Sequence, residues 1–204
     1  MECFTKINKM TELDILNQDE FIDVINKIKI ENKSGKIKII NLNLKNLSLI
    51  IKGHLDFINL DNPIVMDKSK IRKIMKPYNK EKHQHGITAD NIYNAILNIN
   101  DPYMIIQTVN NPYNITFFTS ITTIQGDEIF VGFDFNYKLK NQENVVSHIE
   151  TIFGSNKINR DAYESLNYLN GRKVVYKKRS GWFATIAPTT TSIYSMHQNN
   201  KDVK

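Results

Sequence analysis

EIFVGFDFNY, residues 128–137, decides how this chain is read. Ile129, Val131, Phe133, Phe135 and Tyr137 fall on alternate positions, so a strand would carry all five on one face. The pattern repeats on both sides. YMIIQTVN (103–110) and NITFFTSIT (114–122) precede it, and NVVSHIETIFG (144–154) follows. Asn110-Asn111-Pro112, Gln125-Gly126-Asp127 and the polar stretch 138–144 separate these segments as turns. In the last segment, alternation predicts Val145, Ser147, Ile149, Thr151 and Phe153 on one face, with His148 and Glu150 on the other.

Helical spacing takes over upstream. Ile71, Ile74, Met75 and Tyr78 follow an i, i+3, i+4, i+7 pattern, with bases at 68, 70, 72, 73 and 76 on the other faces. Pro77 ends that helix near Met75 or Lys76. Thr88 is a good N-cap for a second helix bearing Ile92, Ala95, Ile96 and Ile99, stopped by Asp101-Pro102. His83-Gln84-His85 therefore lies in the helix–helix connection, with His85 near the positive end of the second helix. Further out, residues 19–30 predict an amphipathic helix, and KIKIINLNLKNLSLIIKG (36–53) predicts a strand or hairpin. A short helix is expected at 159–169, a strand at 173–178 and a last strand in WFATI (182–186). Residues 188–204 lack apolar periodicity.

The expected fold class is α+β: two helices, a four-stranded antiparallel β-meander, then a short helix and strand, with a small N-terminal α/β extension. The expected organisation is an extension over 1–60, a main domain over 61–187 bounded by the Asp61-Asn62-Pro63 turn, and a flexible tail over 188–204.

The 204 residues, 41% hydrophobic and 24% charged, can bury a core without disulfides. A single cysteine, Cys3, rules out an internal disulfide and a CxxC motif. No apolar run approaches the ~20 residues that span a bilayer, so a cytoplasmic protein with no membrane partner is expected. Ile, Asn and Lys fill more than a third of the chain, and their AT-rich codons account for part of the lysine excess.

The charge is unevenly distributed. Residues 67–86 hold seven bases and two acids, while residues 87–156 hold two bases and seven acids. GRKVVYKKRS, residues 171–180, holds five bases and no acid. Two basic clusters flanking an acidic sheet region would form one phosphate-binding rim if the fold brought them together. Two separate solvated surfaces are the plainer alternative.

His-x-His supplies at most two metal ligands, and no thiolates or further clustered histidines complete a zinc site, so neither metal nor cofactor is expected. Metal-free RNA cleavage suits these residues better. It needs a proton taken from the 2′-OH, a proton given to the 5′-oxygen, and cations on the phosphorane. His83, His85 and Lys82 in the connection, Thr108, Ser147 and Thr151 on expected strands, and Tyr176 near the end are of the required types. Lys73, Lys76, Arg172, Lys173, Lys177, Lys178 and Arg179 would bind phosphate, and Trp182 would stack on a base. Thr and Tyr on strands also serve β-propensity alone, and a lone Trp is commonly core.

The string KIRKIMKPYNKEKHQHGITADNIYNAILNINDPYMIIQT, residues 70–108, resembles the phage-associated barnase–EndoU–colicin–RelE-like nuclease domains. Such domains occur at the C-termini of MuF-type phage head proteins and in polyvalent proteins. The likeness continues through His148–Phe153 and through Val174–Lys178 with Trp182, covering about residues 64–186. It implies helices before an antiparallel meander and metal-independent, toxin-like RNA cleavage in the cytoplasm of a bacterial host cell. His85 or His83 matches the motif histidine, Thr108 and Thr151 the motif alcohols, and Tyr176 the late tyrosine. Threonine stands at both alcohol positions where the family has serine, and Phe153 replaces a family tyrosine.

The first reading is thus a phage or mobile-element endoribonuclease whose partner is RNA, with a protein inhibitor or nucleoprotein target as a further expected partner. The alternative is a non-catalytic binder of nucleic acid or nucleoprotein, a counter-defence protein on the same fold. A third reading makes residues 1–60 a partner-binding module.

Overall fold

The structure is a computed structural model that describes residues 10–42, 44, 47, 49–82, 84–139, 144–155 and 172–178. Its centre is one eight-stranded mixed sheet. The strands are β1 (Thr11–Asp14), β2 (Lys36–Ile40), β3 (Ile64–Asp67), β4 (Met104–Thr108), β5 (Asn114–Thr122), β6 (Glu128–Lys138), β7 (Val145–Ser155) and β8 (Arg172–Lys177), in the order β1-β2-β3-β7-β6-β5-β4-β8. The helices among the described residues are α1 (Gln18–Ile30), α2 (Leu49–His54), α3 (Lys68–Ile74) and α4 (Ala89–Asn98).

The expected fold class is corrected by this topology. In place of a four-stranded antiparallel meander with a separate small extension, strands from both halves of the chain share one sheet. Two pairings are parallel, β1 with β2 and β3 with β7. The parallel join between Ile64–Met66 and Ser147–Ile149 merges the halves. β3 escapes a sequence reading because Ile64, Val65 and Met66 are all buried, and a short buried run shows no alternation. Residues 49–54 form a helix where a second hairpin strand was conceivable. The expected helix at 159–169 and the WFATI strand lie outside the described residues.

Local chemistry accounts for the helices that form. Asn17 caps α1 by accepting from the Glu20 amide, and Phe21, Ile25 and Ile28 are its buried stripe. Thr88 and Asn91 build a reciprocal capping box on α4, whose buried face is Ile92, Tyr93, Ala95 and Ile96. These residues meet Ile115, Phe117, Ile129, Val131 and Phe133 in the main core on one sheet face. Phe118, Phe130, Met104 and Ile106 form a second cluster with Phe153.

β7 departs from simple alternation. Gly132 pairs with Thr151 but Phe133 pairs with Ile149, so Glu150 is an extra residue, a β-bulge. Ile149 and Ile152 consequently share the main core, while Phe153 packs in the second cluster. The expected common face of Ile149 and Phe153 is split at the bulge.

Candidate functional site

β3 leaves the sheet after Asp67 and turns directly into α3, so β7 has no pairing with β3 beyond Ile149. A cleft of about 480 Å³ opens there. One wall is α3, with Lys70, Lys73 and Ile74; the other is Glu150–Phe153 of β7; Lys76, Lys82, Gln84, His85 and Ile87 complete it.

The segment after α3 folds as a small hairpin. Asn79 and Gln84 exchange both backbone hydrogen bonds at 2.9 Å, and the Lys82 amide donates to Asn79 Oδ1 at 3.0 Å. Gly86, at φ +62°, turns the chain back across Tyr78, where a Cβ would come within 3.1 Å of the Tyr78 Cβ. That reversal delivers His85 to the cleft.

His85 Nδ1 bonds Asp127 Oδ2 at 2.9 Å, and the side chains are 27% and 6% exposed respectively. Asp127 is held in turn, because its amide donates to Thr123 Oγ1 at 3.2 Å and its carbonyl accepts from the Thr123 amide at 2.9 Å. Gly154 is the floor beneath the pair. A Cβ there would lie 3.1 Å from the Asp127 Cβ and 3.2 Å from the His85 Cβ. With Nδ1–H donated to the carboxylate, Nε2 is the nitrogen left for proton transfer. Among the described residues, four lysines line the cleft with one carboxylate, Glu150, and Lys70 Nζ lies 3.9 Å from it. The cleft is therefore electropositive beside an oriented imidazole.

The anticipated site residues divide between places. His85, Lys82, Thr151, Lys73 and Lys76 line this one cleft. Thr108 and Tyr176 lie on β4 and β8, three and four strands from β7, roughly 14 and 19 Å at ordinary strand spacing. Tyr176 packs against the main core, and Arg172 pairs with Thr108 in the ladder. Lys173 is exposed and lines a separate groove with His54, Phe57 and Tyr113. Lys177 is exposed on β8. Lys178 Nζ contacts both Asp101 carboxylate oxygens at 3.0 Å. Ser147 is fully buried. His83, Arg179 and Trp182 lie outside the described residues. The single phosphate rim imagined from the two basic clusters is thus two separate surfaces among the described residues.

Sequence reasoning passed over Asp127, Lys70 and Gly154. Asp127 stood in a turn, where Asp is ordinary, and its partner is 42 residues away.

Residues 76–179 match the family described as the phage MuF C-terminal domain. The chain belongs to that family. The MuF C-terminal match spans just over half of the 204 residues and takes in His85, Asp127, Thr151 and Gly154. β1–β3 and α1–α3 precede it, so the Lys70 and Lys73 wall is supplied from outside the matched segment. No curated protein and no solved structure matches the chain. Among the described residues no helix is long and apolar enough to cross a membrane, and no three His, Cys, Asp or Glu side chains gather in metal-binding geometry.

Proposed function

We propose that this phage-related domain is a toxin-like endoribonuclease that cleaves RNA without a metal, and that the cleft between α3 and β7 is its active site. The observation that carries the reading is His85, held at Nδ1 by a buried Asp127 carboxylate in a cleft lined by four lysines. RNA carries its own nucleophile, so no activated water is required. His85 Nε2 takes the proton of the 2′-OH, the 2′-oxygen bonds to phosphorus, and the bond to the 5′-oxygen breaks. The departing oxygen takes a proton from a rim ammonium, and the products are a 2′,3′-cyclic phosphate and a 5′-hydroxyl. Lys76 and Lys82 neutralise charge on the phosphorane, while Lys73 binds a neighbouring backbone phosphate. The Thr151 hydroxyl supplies a donor at the β7 wall. A nucleoprotein is a natural source of such RNA, and a protein inhibitor would protect the cell that makes the enzyme.

The test is cleavage of total RNA in EDTA by the wild-type chain and by His85→Ala. Cyclic-phosphate ends that appear only with wild type support the proposal. RNA binding that fades with salt, with no cleavage by either protein, replaces it with the non-catalytic binder.

A further inference from the structure

A second histidine–aspartate pair lies at the point where the two cleft walls diverge. Asp67 ends β3 and is the N-cap residue of α3, yet its side chain makes no capping hydrogen bond. An aspartate in that position ordinarily accepts from the first helical amides. Here the carboxylate is turned away from the helix: Oδ2 meets His148 Nε2 at 3.0 Å and Oδ1 meets Lys36 Nζ at 2.6 Å. His148, on β7, is 1% exposed and stacks on Tyr137 of β6 with ring centroids 4.3 Å apart. Lys36 Nζ lies 4.7 Å above the same Tyr137 ring. One carboxylate thus ties β2 and β7 to the start of α3, with β6 packed beneath.

The location matters for the cleft. The β3–β7 ladder has three pairs, the last being Met66 with Ile149, so Asp67 sits just where backbone pairing ends. Lys70, Lys73 and Ile74 follow within seven residues on one wall, and Glu150 begins the other wall two residues after His148. The further polar tie between these walls, Lys70 to Glu150, is 3.9 Å long and half-exposed, so it contributes little. His148 Nδ1 has no partner although it is buried. An ionised carboxylate can only accept, so His148 donates through Nε2 to Asp67.

We propose that His148 and Asp67 are the positioning pair of the cleft, their hydrogen bond locking the lysine wall of α3 against β7. This rests on reading the cleft as the RNA-cleavage site. The pair touches no substrate and acts only through the placement of Lys70 and Lys73.

Full-length His148→Phe and His148→Gln are the variants to make, assayed on a single-stranded RNA oligonucleotide, with folding followed by circular dichroism. Phe keeps the buried ring and loses the donor, whereas Gln keeps a donor. The expected result is a KM raised about tenfold in His148→Phe, with kcat and its pH profile unchanged, and near-complete rescue in His148→Gln. A folded His148→Phe with unchanged KM, or a shifted kcat pH profile, would overturn the proposal. If His148→Phe does not fold, Asp67→Ala, which removes the acceptor, is read in the same way. Should wild type cleave nothing, the functional reading fails while the positioning pair stays testable through the Lys70 and Lys73 amides in a 15N spectrum. Amides displaced in His148→Phe but not in His148→Gln support it, and unmoved amides overturn it.

Discussion

The molecule contains two histidine–aspartate pairs of nearly equal length, 2.9 Å for His85–Asp127 and 3.0 Å for His148–Asp67. Their settings are opposite. In the first pair the carboxylate is buried and the imidazole reaches solvent; in the second the imidazole is buried and the carboxylate is the more open partner. A ring with one nitrogen held and the other in a cleft can exchange protons with a substrate. A ring sealed under Tyr137 cannot, and its hydrogen bond serves placement. Solvent access, and not the identity of the pair, assigns the roles.

The largest effect should come from His85→Ala. RNA cleavage is expected to fall by about a thousandfold, because general acid–base catalysis typically contributes two to four powers of ten. Thermal stability should fall only modestly, since the partly exposed ring leaves a space that water can enter to solvate Asp127. The mirror-image result belongs to His148→Ala. Removing a buried ring leaves a cavity and strips Asp67 of its donor, so stability should drop by about 3 kcal/mol in denaturant unfolding. A large stability loss in the first variant, or none in the second, would erase the distinction between the pairs.

Gly154→Ala sharpens the comparison at the cleft. The added methyl would stand 3.1 Å from the Asp127 Cβ and 3.2 Å from the His85 Cβ, so the pair must shift by a few tenths of an ångström. Cleavage should fall about tenfold, with a stability change near 1 kcal/mol by unfolding. Full activity in this variant would show that the geometry of the pair is not limiting.

The smallest effect is one of pH. The hydrogen bond from His148, opposed by burial and assisted by Lys36, lowers the Asp67 carboxyl from the usual 3.8 to about 2. A lowered carboxyl stabilises the fold fully above its unfolded value and loses that contribution as pH falls toward its folded one. The stability gap between wild type and Asp67→Asn should thus hold above about pH 4 and close toward pH 2, as read by urea unfolding at each pH. A gap that persisted at pH 2 would mean that Asp67 acts by shape and not by charge.

The elements that repeat over many residues were legible. Alternation in Ile129–Phe135, the stripe of α1 and the Thr88 cap are local patterns that state their conformation within one or two turns. Tyr137, expected on the same face, crosses instead to the side of His148 and Val146 at a register shift in β6. The bulge at Glu150 was not legible, because an extra residue on β7 is visible only against its partner β6. β3 was hidden for a related reason: three consecutive buried residues, Ile64–Met66, carry no period, and their strand identity comes from Lys36–Ile39 on one side and Ser147–Ile149 on the other. At the site, residue type and charge clustering picked out His85, Lys82, Lys73 and Lys76, while Thr108 and Tyr176 were grouped with them although the sheet order separates them.

By itself the sequence determined the types of the strongly periodic helices and strands, the basic character of residues 67–86 and the two histidines in their midst. These follow from short-range sterics, capping and the count of charges. Only the tertiary structure decided that strands from both halves form one sheet, that β3 departs at Asp67 to open a cleft, and that Asp127 reaches His85. Those outcomes depend on contacts between residues 42 to 83 positions apart. Such contacts form only when the burial of many apolar side chains offsets the entropy of closing the intervening chain.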